Sequence, residues 1–247
     1  PYAIEEYSIS PLLGSMSDLI FVRKQLARFD IKLILDFVPN HFNAYSDLVN
    51  KHPEVFLQVD ASWLERDEHT FFQRGDRVYA HGKDPYFAAW TDTVQVNYSS
   101  QTAQSFMIEQ LLHIEKFCDG VRCDMAMLML PDIFERTWGF TNMAMGGTQD
   151  FWSSAIKAVR HQHPGFVFLA EAYWDTPWRL QQIGFDYTYD KMVLDLVREG
   201  KVQELKGHLS GTLEYQDKTA RFIENHDEER SLTALGDEKA RVAAILY

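Results

Sequence analysis

The chain has 247 residues, 46% hydrophobic and 14% aromatic, which is enough apolar material for one large core, or one core with an inserted subdomain. A net charge of −12, with no basic run interleaved with aromatics, excludes nucleic acid as the expected partner, because phosphate binding needs clustered Lys and Arg. The longest apolar stretch, "IKLILDFV", is far too short to cross a membrane and no signal-peptide pattern is present, so no membrane partner and a cytoplasmic location are expected.

The first predicted element is a helix over "SMSDLIFVRKQLARFD". It has Leu19, Val22, Leu26 and Phe29 at helical spacing, with Ser15 and Asp18 arranged as a capping box. "IKLILDFV" follows as a strand whose unbroken apolar run suits a parallel strand covered on both faces. Residues 42–99 then break the rhythm. They are irregular, rich in Tyr, Phe and Trp, and too long for a plain βα loop, so they read as a small inserted subdomain after the third strand. Helical spacing resumes in "QTAQSFMIEQLLHIEKF", with Met107, Leu111 and Ile114 on one side, and leads into "CDGVRCD". "DFWSSAIKAVRHQ" sets Phe151, Ala155 and Val159 four apart before "GFVFLAE", and "TLEYQDKTARFIENHD" ends the same way.

Helix followed by buried strand, repeated, predicts an α/β fold with parallel strands. An open doubly wound sheet should carry a Gly-rich phosphate fingerprint at its first βα turn, and no GxGxxG or Walker pattern occurs here. A (β/α)8 TIM barrel is therefore expected, formed by residues 1–41 and 100–247 with 42–99 inserted. The chain opens without Met and stops inside a helical pattern, with material for about the second to seventh strand. A barrel incomplete at both ends, belonging to a longer protein, is the expectation. Cys118 and Cys123 have neither a disulfide-framework nor a zinc spacing and are expected to be buried free thiols.

Four apolar strands are predicted to end on an acid: Asp36, Asp124, Glu171 and Asp227. In parallel α/β folds, functional side chains gather at the carboxyl ends of strands. Two of these acids have histidine neighbours, His41 in "PNHF" and His226 in "ENHDEE". Arg122 and Asp124, two apart, share one face of their strand, where the arginine can pair with carboxylates and hold them ionised. Such a set admits a chelator-sensitive metal site on Asp36, His41, Asp124 and Asp227. It also admits glycoside cleavage, which needs one carboxylate as nucleophile or base and another as proton donor. The aromatic supply, as in "YFAAW", favours sugars, because pyranose rings stack on flat apolar faces.

The strings "DFVPNH", "GVRCD", the glutamate of "FLAEAYW" and "FIENHDE", in this order, resemble the four signature segments of the α-amylase family of retaining α-glucoside hydrolases and transglycosidases. The resemblance spans nearly the whole chain, and the insertion falls where that family carries its B domain. It implies Asp124 as nucleophile forming a covalent β-glycosyl ester, Glu171 as general acid/base, and Asp227 as a third carboxylate gripping sugar hydroxyls. Arg122 would keep the nucleophile ionised. His41 and His226 match the pair that hydrogen-bonds the sugar beside the scissile bond, with Asp36 and Asn40 in support. Tyr2 matches a tyrosine that stacks on the same sugar, although Glu6 stands where the family's adjoining acid is usually Asp. Trp90 is a candidate pocket wall or a core residue, and Trp174 a candidate acceptor-subsite residue.

Retention needs nucleophile and acid roughly 5 Å apart, and a proton donor kept in a drier place than the nucleophile. The family resemblance also carries a departure. Many endo-acting amylases have a Lys-His pair serving substrate and calcium after the nucleophile, where this chain reads "MAML". No metal or cofactor is expected, calcium at Asn40 being an open alternative that this departure does not support, and the short insertion suits a pocket for small oligosaccharides. The implied activity is retaining hydrolysis of α-glucosidic bonds in small oligosaccharides or α-glucans. The alternatives are α-glucosyl transfer or phosphorolysis, or a non-catalytic sugar-binding subunit marked by loss of one of the three acids. None is lost, and nothing in the sequence fixes an oligomeric state.

Overall fold

The computed structural model describes residues 2–141 and 150–246, arranged as two compact units, Pro1–Phe168 and Leu169–Tyr247. The first unit opens with the helix Met16–Ala27, and its capping box forms as expected. The Ser15 hydroxyl accepts the Asp18 N–H at 3.3 Å while the Asp18 carboxylate takes the Ser15 N–H at 2.8 Å. The apolar stripe does not behave as expected. None of the helix residues is buried, and Phe29, beyond its end, is 75% exposed. A charge-assisted clamp fixes the helix instead. Arg23 donates to the Asp119 carboxylate at 2.8 and 3.1 Å, and Asp119 also accepts the Leu33 N–H at 2.8 Å.

The strands that follow among the described residues of this unit are β1 (Ile34–Phe37), β2 (His41–Asn43), β3 (Gln58–Val59), β4 (Phe71–Arg74), β5 (Arg77–Ala80), β6 (Thr93–Gln95) and β7 (Gly120–Cys123). β1 and β7 are parallel, with Asp36 opposite Arg122. All four residues of β7 are buried, which suits its apolar run, whereas in β1 only Phe37 is. The expected two-sided cover of β1 is thus not found. Among the described residues it has a single strand neighbour, β7, and its flanks are correspondingly wetter. Residues 42–99 fold around short antiparallel pieces, β2 with β6 and the order β3-β5-β4. Phe42, Phe56, Leu57, Phe71 and Val94 form their buried core.

The helices of the first unit follow the spacing read from the sequence. Gln101–Glu115 is capped by Ser100 and buries Met107, Leu111 and Ile114. Phe151–Gln162 is capped by Asp150 and buries Phe151, Ala155 and Val159, together with Trp152 and Ile156. Cys118 and Cys123 are buried free thiols, as expected.

The division between the units falls inside β8 (Val167–Ala170). In the second unit β8 pairs in parallel with β9 (Tyr187–Tyr189), and β9 with β10 (Thr219–Ala220). The expected long strand "RFIENHD" is absent. β10 stops at Ala220, so Asp227 does not end a strand. The cause is local. The Asn225 side-chain oxygen takes the N–H groups of Asp227 and Glu228 at 3.0 and 2.9 Å, and the Glu224 carboxylate takes that of Ser231 at 2.6 Å. These bonds offer the backbone a turn in place of a ladder. The fold is α/β, and five of the described strands, β1, β7, β8, β9 and β10, run parallel. Among the described residues no helix is long and apolar enough to cross a membrane.

Candidate active site

In the first unit the ends of β1 and β7 bring the predicted charges together. Arg122 donates from Nη1 to Asp124 at 2.7 Å and to Asp36 at 3.3 Å. The Arg122 and Asp124 side chains are 8% and 9% exposed, against 51% for Asp36, so the first contact is a buried ion pair and the second lies at its wet edge. The Arg122 guanidinium carbon sits 5.5 Å from the centre of the Tyr2 ring, and the Tyr2 hydroxyl reaches Asp36 at 3.5 Å. Tyr7, which the sequence reading overlooked, closes the end of β1. Its hydroxyl donates to the Val38 carbonyl at 2.8 Å and accepts the Val38 N–H at 2.9 Å. Burial raises the Tyr7 pKa well above the ordinary phenol value, so it stays neutral.

His41 begins β2 and is buried. Burial pushes its pKa down to about 4, against the opposing pull of Asp92 and of a bond to the Tyr2 main chain. At neutral pH it is therefore an uncharged imidazole. The Trp90 ring lies 5.2 Å from it, centre to centre, and backs it. Gly82, bridged to Trp90, leaves no room behind His41. A Cβ there would lie 2.9 Å from the His41 Cβ and 2.8 Å from the Thr93 hydroxyl. Gly82→Ala is expected to cost about 1–3 kcal/mol and to displace the ring. A crystal structure of the variant with His41 unmoved, or an unchanged melting temperature, would contradict this.

The second unit holds Glu171, His226 and Asp227. Glu171 follows β8, is buried, and accepts the Tyr173 hydroxyl at 2.8 Å. Trp174 and Asp175 both have positive φ, +55° and +59°, so the chain turns sharply just after the acid. His226 and Asp227 are exposed, with Nε2 and the carboxylate 3.0 Å apart. Their loop is strutted by Glu228, which receives Arg198 at 3.0 Å and Lys191 at 3.2 Å from the helix Lys191–Glu199. Tyr173 could have been found from its place two residues beyond Glu171. Gln95, Gly82 and the loop struts carry no sequence signal, since their partners lie across strands or on another helix.

Chemically, the first unit offers a carboxylate held against an arginine and a neutral imidazole. The second offers a buried carboxyl group bonded to a phenol and an exposed carboxylate beside a histidine. These are parts suited to nucleophilic attack and proton transfer. Among the described residues, no three or more His, Cys, Asp or Glu side chains group as a metal site.

A family profile described as "Alpha amylase, catalytic domain" matches residues 1–246. The trehalose synthase/amylase TreS of Mycolicibacterium smegmatis is 26% identical over 189 residues, 67% of this chain and 30% of that protein. An α-amylase from Lactobacillus plantarum superimposes with a TM-score of 0.67 at 26% identity, covering 96% of this chain and 53% of that one. A noncanonic maltogenic α-amylase, AmyB, from Thermotoga neapolitana gives 0.65 at 26% identity, covering 94% and 48%. The chain thus spans about half the length of these solved relatives and 30% of the curated one.

Proposed function

The chain belongs to the α-amylase family, and from that premise we propose that it is the catalytic part of a retaining glycoside hydrolase acting on α-glucosidic bonds of small oligosaccharides or α-glucans. The observation that carries this reading is the buried Arg122–Asp124 pair at the end of β7, 2.7 Å apart. A carboxylate in so dry a place stays ionised, and therefore nucleophilic, only beside a counter-ion.

In the proposed reaction an Asp124 oxygen bonds to the anomeric carbon as the bond to the leaving oxygen breaks, and Glu171 supplies that oxygen's proton. Glu171 then takes a proton from water, whose oxygen displaces Asp124 and restores the α-anomer. His41, His226 and Asp227 would bond sugar hydroxyls, Tyr2 would stack on the ring, and Trp90 would back His41. Asp36 and Asn40 would hold Arg122 and His41 in place. The five parallel strands are read as part of a (β/α)8 barrel, with residues 42–99 as its inserted B-type subdomain. The name of the mycobacterial relative, trehalose synthase/amylase, joins trehalose synthesis to amylase action. It favours a second reading, glucosyl transfer to a sugar acceptor through the same intermediate.

Proton NMR on the full-length protein and its Asp124→Asn variant tests the proposal, following maltotetraose, sucrose and trehalose through the first minutes. The wild type alone is expected to release product as the α-anomer. New glucosides at the expense of free sugar would mark transfer. First appearance of the β-anomer would overturn retention, and sugar binding without turnover by the wild type would overturn catalysis.

A further inference from the structure

β2 and β6 run antiparallel with His41 opposite Gln95, and the Gln95 side chain is fully buried. Its Nε2 lies 3.0 Å from three oxygens: the Asn40 carbonyl, the Val96 carbonyl and the Asn40 Oδ1. Two of these are peptide carbonyls, which only accept. The end of Gln95 facing them must therefore be the NH2 group, and a flipped amide would set oxygen against oxygen. The end of the Asn40 side chain facing Gln95 must then be its oxygen. That leaves the Asn40 NH2 toward His41 Nδ1, at 3.3 Å. An amide NH2 can only donate, so Nδ1 accepts and the ring proton resides on Nε2. The Tyr2 main chain accepts a bond from His41, for which only Nε2 remains as donor, so a sugar hydroxyl would take that carbonyl's place.

We propose that Gln95 is a positioning residue which, through the amide of Asn40, sets the tautomer of His41 so that Nε2–H is the donor offered to a sugar hydroxyl. The offer to a sugar rests on the function proposed above; the tautomer does not. One feature argues that Gln95 is not retained for stability alone. Among the described residues its own Oε1 is buried without a hydrogen-bond partner, a cost that an apolar residue of similar shape would avoid. Burial keeps the ring uncharged, so that tautomer rather than charge decides what it can donate.

The test uses the full-length protein with 15N-labelled histidine, reading the His41 tautomer from two-bond proton–nitrogen NMR correlations. The wild type should show Nε2–H. In Gln95→Glu, of the same shape, the carboxylate repels the three oxygens. Asn40 then turns over and presents its oxygen to Nδ1, and the ring proton moves there. That variant should keep its fold by circular dichroism while kcat/KM on maltotetraose falls about 10- to 100-fold. Gln95→Leu, which adds no charge, should leave Asn40 without a guide and give mixed tautomers, and it decides the matter where Gln95→Glu does not fold. A wild type with Nδ1–H, or folded variants that both keep Nε2–H, would overturn the role of Gln95 whatever the activity. A tautomer that inverts in a protein inactive on every glucoside would support Gln95 and overturn the reading of His41 as a sugar ligand.

Discussion

Arg122→Met is expected to destabilise the protein by about 3–5 kcal/mol, because it leaves the Asp124 charge buried and without its counter-ion. Burial decides the size. Arg122 and Asp124 are 8% and 9% exposed, whereas the Arg23–Asp119 pair is 25% and 24% exposed and better screened. Breaking the latter with Arg23→Met should cost roughly 1 kcal/mol or less. Asp36, half in water at 3.3 Å, gains little from Arg122 and should lose little without it. Adding Asp124→Leu to Arg122→Met removes the stranded charge, and most of the lost stability should return. Urea denaturation of the single and double variants measures both arms. A single variant within 1 kcal/mol of wild type would show that the pair is solvated, and the argument for a permanently ionised Asp124 would go with it.

Gly120→Ala should produce the second large effect, although it adds only one methyl group. The new Cβ would lie 2.5 Å from the Val167 carbonyl oxygen, 2.7 Å from Ile34 Cδ1 and 2.8 Å from Val167 Cβ. The end of Ile34 can swing aside. The Val167 carbonyl is main chain, and the N–H of the same residue is tied to the Asp119 carbonyl at 3.0 Å. β7 must therefore shift against β1, where Gly120 pairs with Ile34 and Arg122 with Asp36. A loss of about 3 kcal/mol, at the upper end for overpacking, is expected, together with reduced activity. Gly165→Ala is the control, since no atom of the described residues lies within 4 Å of the added Cβ, and its effect should stay below about 1 kcal/mol. Equal melting temperatures for the two variants would refute the steric account.

These two positions mark where sequence reading succeeds and where it stops. The shared face of Arg122 and Asp124 follows from the two-residue period of a strand, and their 2.7 Å contact bears it out. The buried faces of Gln101–Glu115 and Phe151–Gln162 follow as simply from helical spacing. The helix Met16–Ala27 has similar spacing but buries nothing, because periodicity reveals which side is apolar and not what covers it. The end of the apolar run before Asp227 looked like a strand because the competing bonds come from side chains, Glu224 and Asn225, whose preference for turns depends on which N–H they reach. Gln95 is the clearest limit. It lies in the stretch read only as an irregular insertion, and the pairing of β6 with β2 is what brings it onto Asn40.

The two cysteines have a practical meaning of their own. Cys123 immediately precedes Asp124, and Cys118 ends the turn into the same strand; neither has accessible surface. Burial holds both thiols protonated, Cys118 with a pKa of about 11 and Cys123 well above the ordinary thiol value. Alkylating reagents act on thiolates and need access, so neither sulfur can react while the first unit stays closed. Their rate of labelling is therefore a clock for the opening of that unit. Any inactivation by such reagents would report exposure of the strand on which Asp124 sits, and would not by itself mark a cysteine as part of the chemistry.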